Sequence, residues 1–73
     1  MPLSRYKLAR HTRIRLARVE ADLTQTDLAN KIHAKQKSIS RYETGASVPT
    51  LETLTKIASA LKKSSGYFLE DLG

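Results

Sequence analysis

Drawn as a helix, residues 36–44 place four polar side chains, Gln36, Lys37, Ser40 and Arg41, within about 140° of one side. No acid interrupts that side. It can donate and accept hydrogen bonds, and it carries positive charge. The opposite side holds Ser38, Ile39 and Tyr42. Nothing in the chain assembles a nucleophile, a base and an orienting group around a cleft, so the chemistry expected is recognition and not catalysis. The chain has no cysteine, which excludes disulfides, thiolate metal sites and cysteine nucleophiles. Its two histidines cannot complete a typical zinc set without carboxylates, and His33 has no second ligand at helical spacing. Neither a metal nor a cofactor is expected.

Charge points to the partner. Lysine and arginine total 13, aspartate and glutamate 7, giving +6. Residues 1–18 contain Arg5, Lys7, Arg10, Arg13, Arg15 and Arg18 and no acid, whereas residues 19–73 sum to zero. The whole net charge sits in the first quarter of the chain. Such asymmetry suits a polyanion, either nucleic acid or a membrane surface, although blocks of like charge are also found as solvated tails. A membrane surface would need large apolar residues opposite the charge. Here the charges ring the helix, so membrane binding ranks last. No apolar run approaches the ~18 residues of a membrane span, and no secretory signal is expected.

The elements that must position the polar helix are all helical, for no segment alternates with period two. At 73 residues the chain makes one domain with a small core. A first helix is expected from about Arg10 to Ala21, with Ile14, Ala17 and Ala21 as its core stripe. Leu8, Thr12, Leu16 and Val19 form a second stripe, expected to pack on the C-terminal helix, with a dimer contact as the alternative. Thr24-Gln25-Thr26-Asp27 reads as a capping box opening a short helix to Ile32. After a break at His33-Ala34-Lys35, the polar helix runs from Gln36 to Thr44 and stops at Gly45 in a left-handed conformation. Thr50 caps a fourth helix whose Leu51, Leu54, Ile57, Ala58 and Leu61 share an apolar arc. A short fifth helix, about Ser65 to Leu72, closes the core with Phe68, Leu69 and Leu72.

Two short helices separated by three residues have the spacing of a helix-turn-helix. The chain resembles the phage repressor and Cro family, the xenobiotic-response-element class of bacterial regulators. The residues that carry the resemblance are Leu23-Thr24-Gln25-x-x-Leu28-Ala29, Ile39-Ser40-Arg41-Tyr42-Glu43-x-Gly45, Pro49-x-Leu51 and Ile57-Ala58-x-Ala60-Leu61. The resemblance implies an all-α, compact five-helix bundle of lambda-repressor-like architecture whose third helix enters the major groove of double-stranded DNA. It implies base contacts from Gln36, Lys37, Ser40 and Arg41. It implies phosphate contacts from Thr24, Gln25, Lys35, Thr44 and Arg10, and a structural ion pair between Arg18 and Glu43. Side-chain chemistry agrees: glutamine pairs bidentately with adenine, and arginine or lysine with guanine. Two positions depart from the family pattern. His33 stands where glycine is usual, and Lys35 occupies an N-cap that favours Ser, Thr, Asn or Asp. Lys35 reads as helix stability yielding to phosphate affinity.

The resemblance thus implies a sequence-specific transcriptional regulator, expected to be a repressor acting as a homodimer on a palindromic operator. It would be cytoplasmic, bacterial or phage-encoded, and nucleoid-associated when bound. The alternative is an antitoxin that binds both its toxin and its operator. Residues 1–9 are expected to form a basic arm, either disordered or extending the first helix, with residues 10–73 as the DNA-binding domain. In that arm Arg5 and Lys7, with Arg10, would reach phosphate or the minor groove. The dimer surface is expected within residues 61–72, around Tyr67 and Phe68.

Overall fold

The computed structural model describes residues 9–69. Five helices follow in order: α1 Arg10–Glu20, α2 Gln25–Lys31, α3 Gln36–Thr44, α4 Leu51–Ala60 and α5 Ser65–Leu69. Among the described residues there is no strand, and no helix is long and apolar enough to cross a membrane.

Local sequence starts and stops these helices. Thr24 accepts the Asp27 N–H at 3.0 Å while the Asp27 carboxylate accepts the Thr24 N–H at 2.9 Å, closing the capping box of α2. Thr50 accepts the Thr53 N–H at 3.1 Å and opens α4. The other ends share one device. α1, α2 and α4 each turn off through a left-handed residue that is not glycine: Asp22 (φ 59°), His33 (φ 57°) and Lys62 (φ 59°). The next N–H then reaches back five residues, Leu23 to Arg18 O, Ala34 to Ala29 O and Lys63 to Ala58 O. α3 ends at Gly45, φ 84°.

The core contains Ile14 and Ala17 of α1; Leu28, Ala29 and Ile32 of the α2 region; Ile39 of α3; Leu54, Ile57, Ala58 and Leu61 of the α4 region; and Phe68 of α5. α3 packs on both α1 and α2, and α5 closes against α4 and α1. A helix of seven or nine residues does not persist in water, so this apolar packing is what holds α2 and α3 in place.

Four expectations need correction. Ala21 is exposed, because α1 ends at Glu20 and Ala21 is its C-cap, just before the left-handed Asp22. Leu16 and Val19 are 41% and 53% exposed, so these two residues of the second stripe of α1 do not pack on the C-terminal helix. Leu51 is 65% exposed, since the first residue of α4 projects beyond the neighbouring helices. Phe68 is fully buried and offers nothing to a partner. Leu8, Leu72, Arg5 and Lys7 lie outside the described residues.

Candidate nucleic-acid interface

The site is built from the N-terminus of α2, the outer side of α3 and the loop that follows it. Gly45 permits that loop: its positive φ suits glycine, and a Cβ there would sit 3.4 Å from the His11 ring. Gln36, Lys37 and Arg41 are exposed and Ser40 is half-buried, so all four sequence-predicted readers lie off the core side occupied by Ile39. Lys35 holds the N-cap position of α3 in an extended conformation without a side-chain cap, which leaves its ammonium exposed beside the first turn.

Beneath this surface lies an ion pair. Arg18 Nε meets Glu43 Oε2 at 2.6 Å and Arg18 Nη2 meets Oε1 at 3.0 Å, a two-pronged contact. Arg18 Nη1 donates to Leu23 O at 2.7 Å, tying the α1–α2 turn to the same guanidinium. The Glu43 side chain is 2% exposed and that of Arg18 13%. The bond to Glu43 raises the Arg18 pKa above its already high ordinary value, against the lowering effect of burial.

A relay runs outward from this pair. Gln25 Nε2 donates to Glu43 Oε1 at 3.1 Å, and Gln36 Nε2 donates to Gln25 Oε1 at 2.6 Å. The first residue of α2 and the first residue of α3 are therefore joined by their amides. Gln36 spends one N–H on Gln25 and retains its other N–H and its carbonyl, the pair that adenine N7 and N6 require.

Arg41 lies back along the α3–α4 loop. Its Nε donates to Ser47 Oγ at 3.0 Å and its Nη2 to Ala46 O at 3.4 Å. The Thr44 hydroxyl donates to Arg41 O at 3.3 Å and accepts from Ala46 N at 3.4 Å, so its hydrogen is committed to the end of α3. The Thr24 oxygen accepts the Asp27 N–H, and its hydroxyl also acts on the Asp27 carboxylate, so Thr24 serves the cap in both directions. Asp27 places a carboxylate at the same helix end. The Thr24 N–H, then the Thr24 hydroxyl, hold its pKa below the ordinary 3.8, with a smaller lowering contribution from Lys31.

Two arginines of α1 serve the fold. Arg10 Nε donates to Phe68 O at 3.1 Å and Arg13 Nη1 to Tyr67 O at 3.1 Å, satisfying carbonyls of α5. The Arg13 guanidinium also stands 5.5 Å from the centre of the Tyr67 ring. Sequence reasoning missed this use of Arg10, and it missed Ser47 as a partner of Arg41. The contacts of Arg10 and Arg13 span 58 and 54 residues, and no local signal announces them. Among the described residues no group of three His, Asp or Glu side chains is placed to hold a metal.

Two short helices packed at a tight turn, the second with a cationic, acid-free outer side, define a DNA-binding helix-turn-helix domain. Residues 14–68 match the family described as Helix-turn-helix, and the chain belongs to that family of DNA-binding transcription regulators, in its phage repressor and Cro class. Two relatives are both named multiprotein-bridging factor 1. The protein from Debaryomyces hansenii is 48% identical over 48 residues, and that from Candida albicans 42% identical over 48 residues. Each alignment covers 66% of this chain and 32% of the relative, so the chain spans about a third of the length of these relatives.

Proposed function

We propose that the chain binds double-stranded DNA in a sequence-specific manner, with α3 in the major groove. The observation that carries this reading is the outer side of α3, where Gln36, preset by Gln25, is followed by Lys37, Ser40 and Arg41 with no acid among them. These four read base edges. Thr24, Gln25 and Lys35 take phosphate. Thr44 takes phosphate only by giving up the bond its hydroxyl now donates, whereas Arg10 takes it through guanidinium N–H groups other than the Nε bound to Phe68 O. One helix-turn-helix reads few base pairs, so a homodimer on half-sites about 34 Å apart is the economical arrangement, and a repressor is its simplest use. Phe68 is buried and so does not itself enter the contact between protomers. Both relatives are yeast proteins, so membership of the family does not by itself place the chain in a bacterium or a phage.

A second reading, a link between proteins at a promoter, draws on the word bridging in the relatives' name and on the exposed Leu16 and Val19 of α1. The discriminating experiment is selection of bound sites from random duplexes, followed by sedimentation of the complex. A palindromic consensus carrying two protomers supports the regulator reading. Loss of all sequence preference, with retention of a protein partner through Leu16 and Val19, supports the second.

A further inference from the structure

We infer that Ser47 is a positioning residue that sets the guanidinium of Arg41 for end-on contact with a base, an inference that rests on the reading of α3 as the recognition helix. The two residues hold each other twice. The Ser47 N–H donates to Arg41 O at 3.1 Å, and Arg41 Nε donates to Ser47 Oγ at 3.0 Å. The first bond belongs to the helix stop. Arg41 O also receives the Thr44 hydroxyl, so the end of α3 is closed without any help from the Arg41 side chain. The side-chain bond therefore serves the side chain.

Its consequence follows from the guanidinium fork. Arginine has five N–H groups in one plane. With Nε bound to Ser47, the edge through Nε is occupied. The free edge is the far one, between Nη1 and Nη2, where two parallel N–H bonds match guanine O6 and N7. The Ala46 carbonyl contact, at 3.4 Å, is long enough for Nη2 to yield to a base. An arginine without this anchor swings on a flexible stem and reaches phosphate as readily as a base. Ser47 thus makes Arg41 a reader instead of a mobile charge, from a loop position that touches no base itself.

The test uses the full chain and the duplex chosen from a random pool. Arg41→Ala first identifies the base pair whose discrimination depends on Arg41. Ser47→Ala keeps the Ser47 N–H and removes only the hydroxyl. It should lower discrimination at that same base pair about 3- to 10-fold, the value of one hydrogen bond, and leave affinity for random DNA within about twofold. Ser47→Thr, which restores a hydroxyl, should recover most of the loss. The ratio of affinities for two duplexes is taken on one preparation, so any partial unfolding cancels. Unchanged discrimination in Ser47→Ala, while Arg41→Ala abolishes it, overturns the role of Ser47 and leaves the reading of α3 intact. Equal losses on specific and random DNA mean that Ser47 supports a phosphate contact, which also overturns it. If Arg41→Ala changes discrimination at no position, Arg41 is not a reader, and its place in the reading fails together with this inference.

Discussion

Gln25 donates to Oε1 of Glu43 at 3.1 Å, the same oxygen that takes Nη2 of Arg18 at 3.0 Å. A half-buried amide at the start of α2 is thereby fixed by the most buried charge in the described fold. The contact links the ion pair that locks α3 to α1 with the glutamine that orients Gln36. The stability of the domain and the geometry of its proposed reading surface depend on one carboxylate.

The glutamine pair should behave as a unit on DNA. Gln25→Ala removes the proposed phosphate ligand and the acceptor that holds Gln36. It should weaken binding to all duplexes and also relax the preference at the position read by Gln36. In a double-mutant cycle with Gln36→Ala, measured by titration on the selected site, a coupling of about 1 kcal/mol is expected. Strict additivity would separate the two residues.

Glu43→Ala should cost ~3–5 kcal/mol, because it leaves the Arg18 guanidinium in a largely buried position without its partner. Small domains have only about 5–15 kcal/mol in total, so the variant should be close to unfolding at 37 °C. Replacing both residues, Arg18→Leu with Glu43→Leu, should recover much of the loss, since an apolar pair carries no stranded charge. Urea midpoints for the two variants and the parent chain decide the matter: a double variant no better than Glu43→Ala would mean that the pair supplies more than neutralisation.

Asp27 predicts a pH dependence with a definite sign. Its pKa in the folded chain is depressed by the bonds to Thr24. The folded state therefore keeps the charge to lower pH than the unfolded state does. The associated stability is fully present above the unfolded value near 3.8 and is lost as pH falls through the folded value. Asp27→Asn should flatten the urea midpoint between about pH 5 and pH 2 relative to the parent chain. Parallel profiles for the two proteins would show that the capping box does not titrate with folding.

What the sequence revealed was what neighbours in sequence determine. Thr24 and Asp27 stand three apart, and their reciprocal bonds were readable from residue type alone. Gly45 as the stop of α3 and the core places of Ile14, Ala17, Ile39 and Leu54 followed from spacing. Periodicity failed where an element ends. Ala21 and Leu51 fit the helical stripes, yet one follows the end of α1 and the other begins α4, where no neighbouring helix covers them. The relay from Arg18 through Glu43 and Gln25 to Gln36 was legible only in part. Family resemblance paired Arg18 with Glu43, but no spacing rule joins Gln25 to a carboxylate 18 positions away or to a second amide 11 positions away.

Backbone conformation gives a pair of predictions of opposite sign. Gly45→Ala forces a Cβ into a φ of 84° and should cost about 1–2 kcal/mol. His33 already bears such a strain at φ 57°. His33→Gly should relieve it, less the extra backbone entropy that glycine loses on folding, for a net gain of about 0.5 kcal/mol. Thermal melts should move down for the first and up for the second, by about 4–8 °C per kcal/mol. A destabilised His33→Gly would mean that the imidazole makes contacts that outweigh the strain.

Lys35 sets stability against affinity in one residue. It occupies the N-cap of α3, yet its side chain makes no cap bond, so the N–H groups of the first turn lack the acceptor that serine would offer. Lys35 is instead exposed, and its proposed role is to meet a phosphate flanking α3. Lys35→Ser should therefore raise the stability of the free chain by about 1 kcal/mol, because its hydroxyl accepts the N–H of Lys37 or Ser38. The same change should weaken DNA binding and reduce the slope of log affinity against log salt by ~0.9 per protomer, since one fewer phosphate is neutralised. Preference among base sequences should not change, because a phosphate contact carries no sequence information. Melting and salt titration on the selected duplex test both halves together. A variant that is more stable and keeps the full salt slope would show that Lys35 touches no phosphate. One that loses slope without gaining stability would show that α3 is held so firmly by Ile39 and Glu43 that its cap is immaterial.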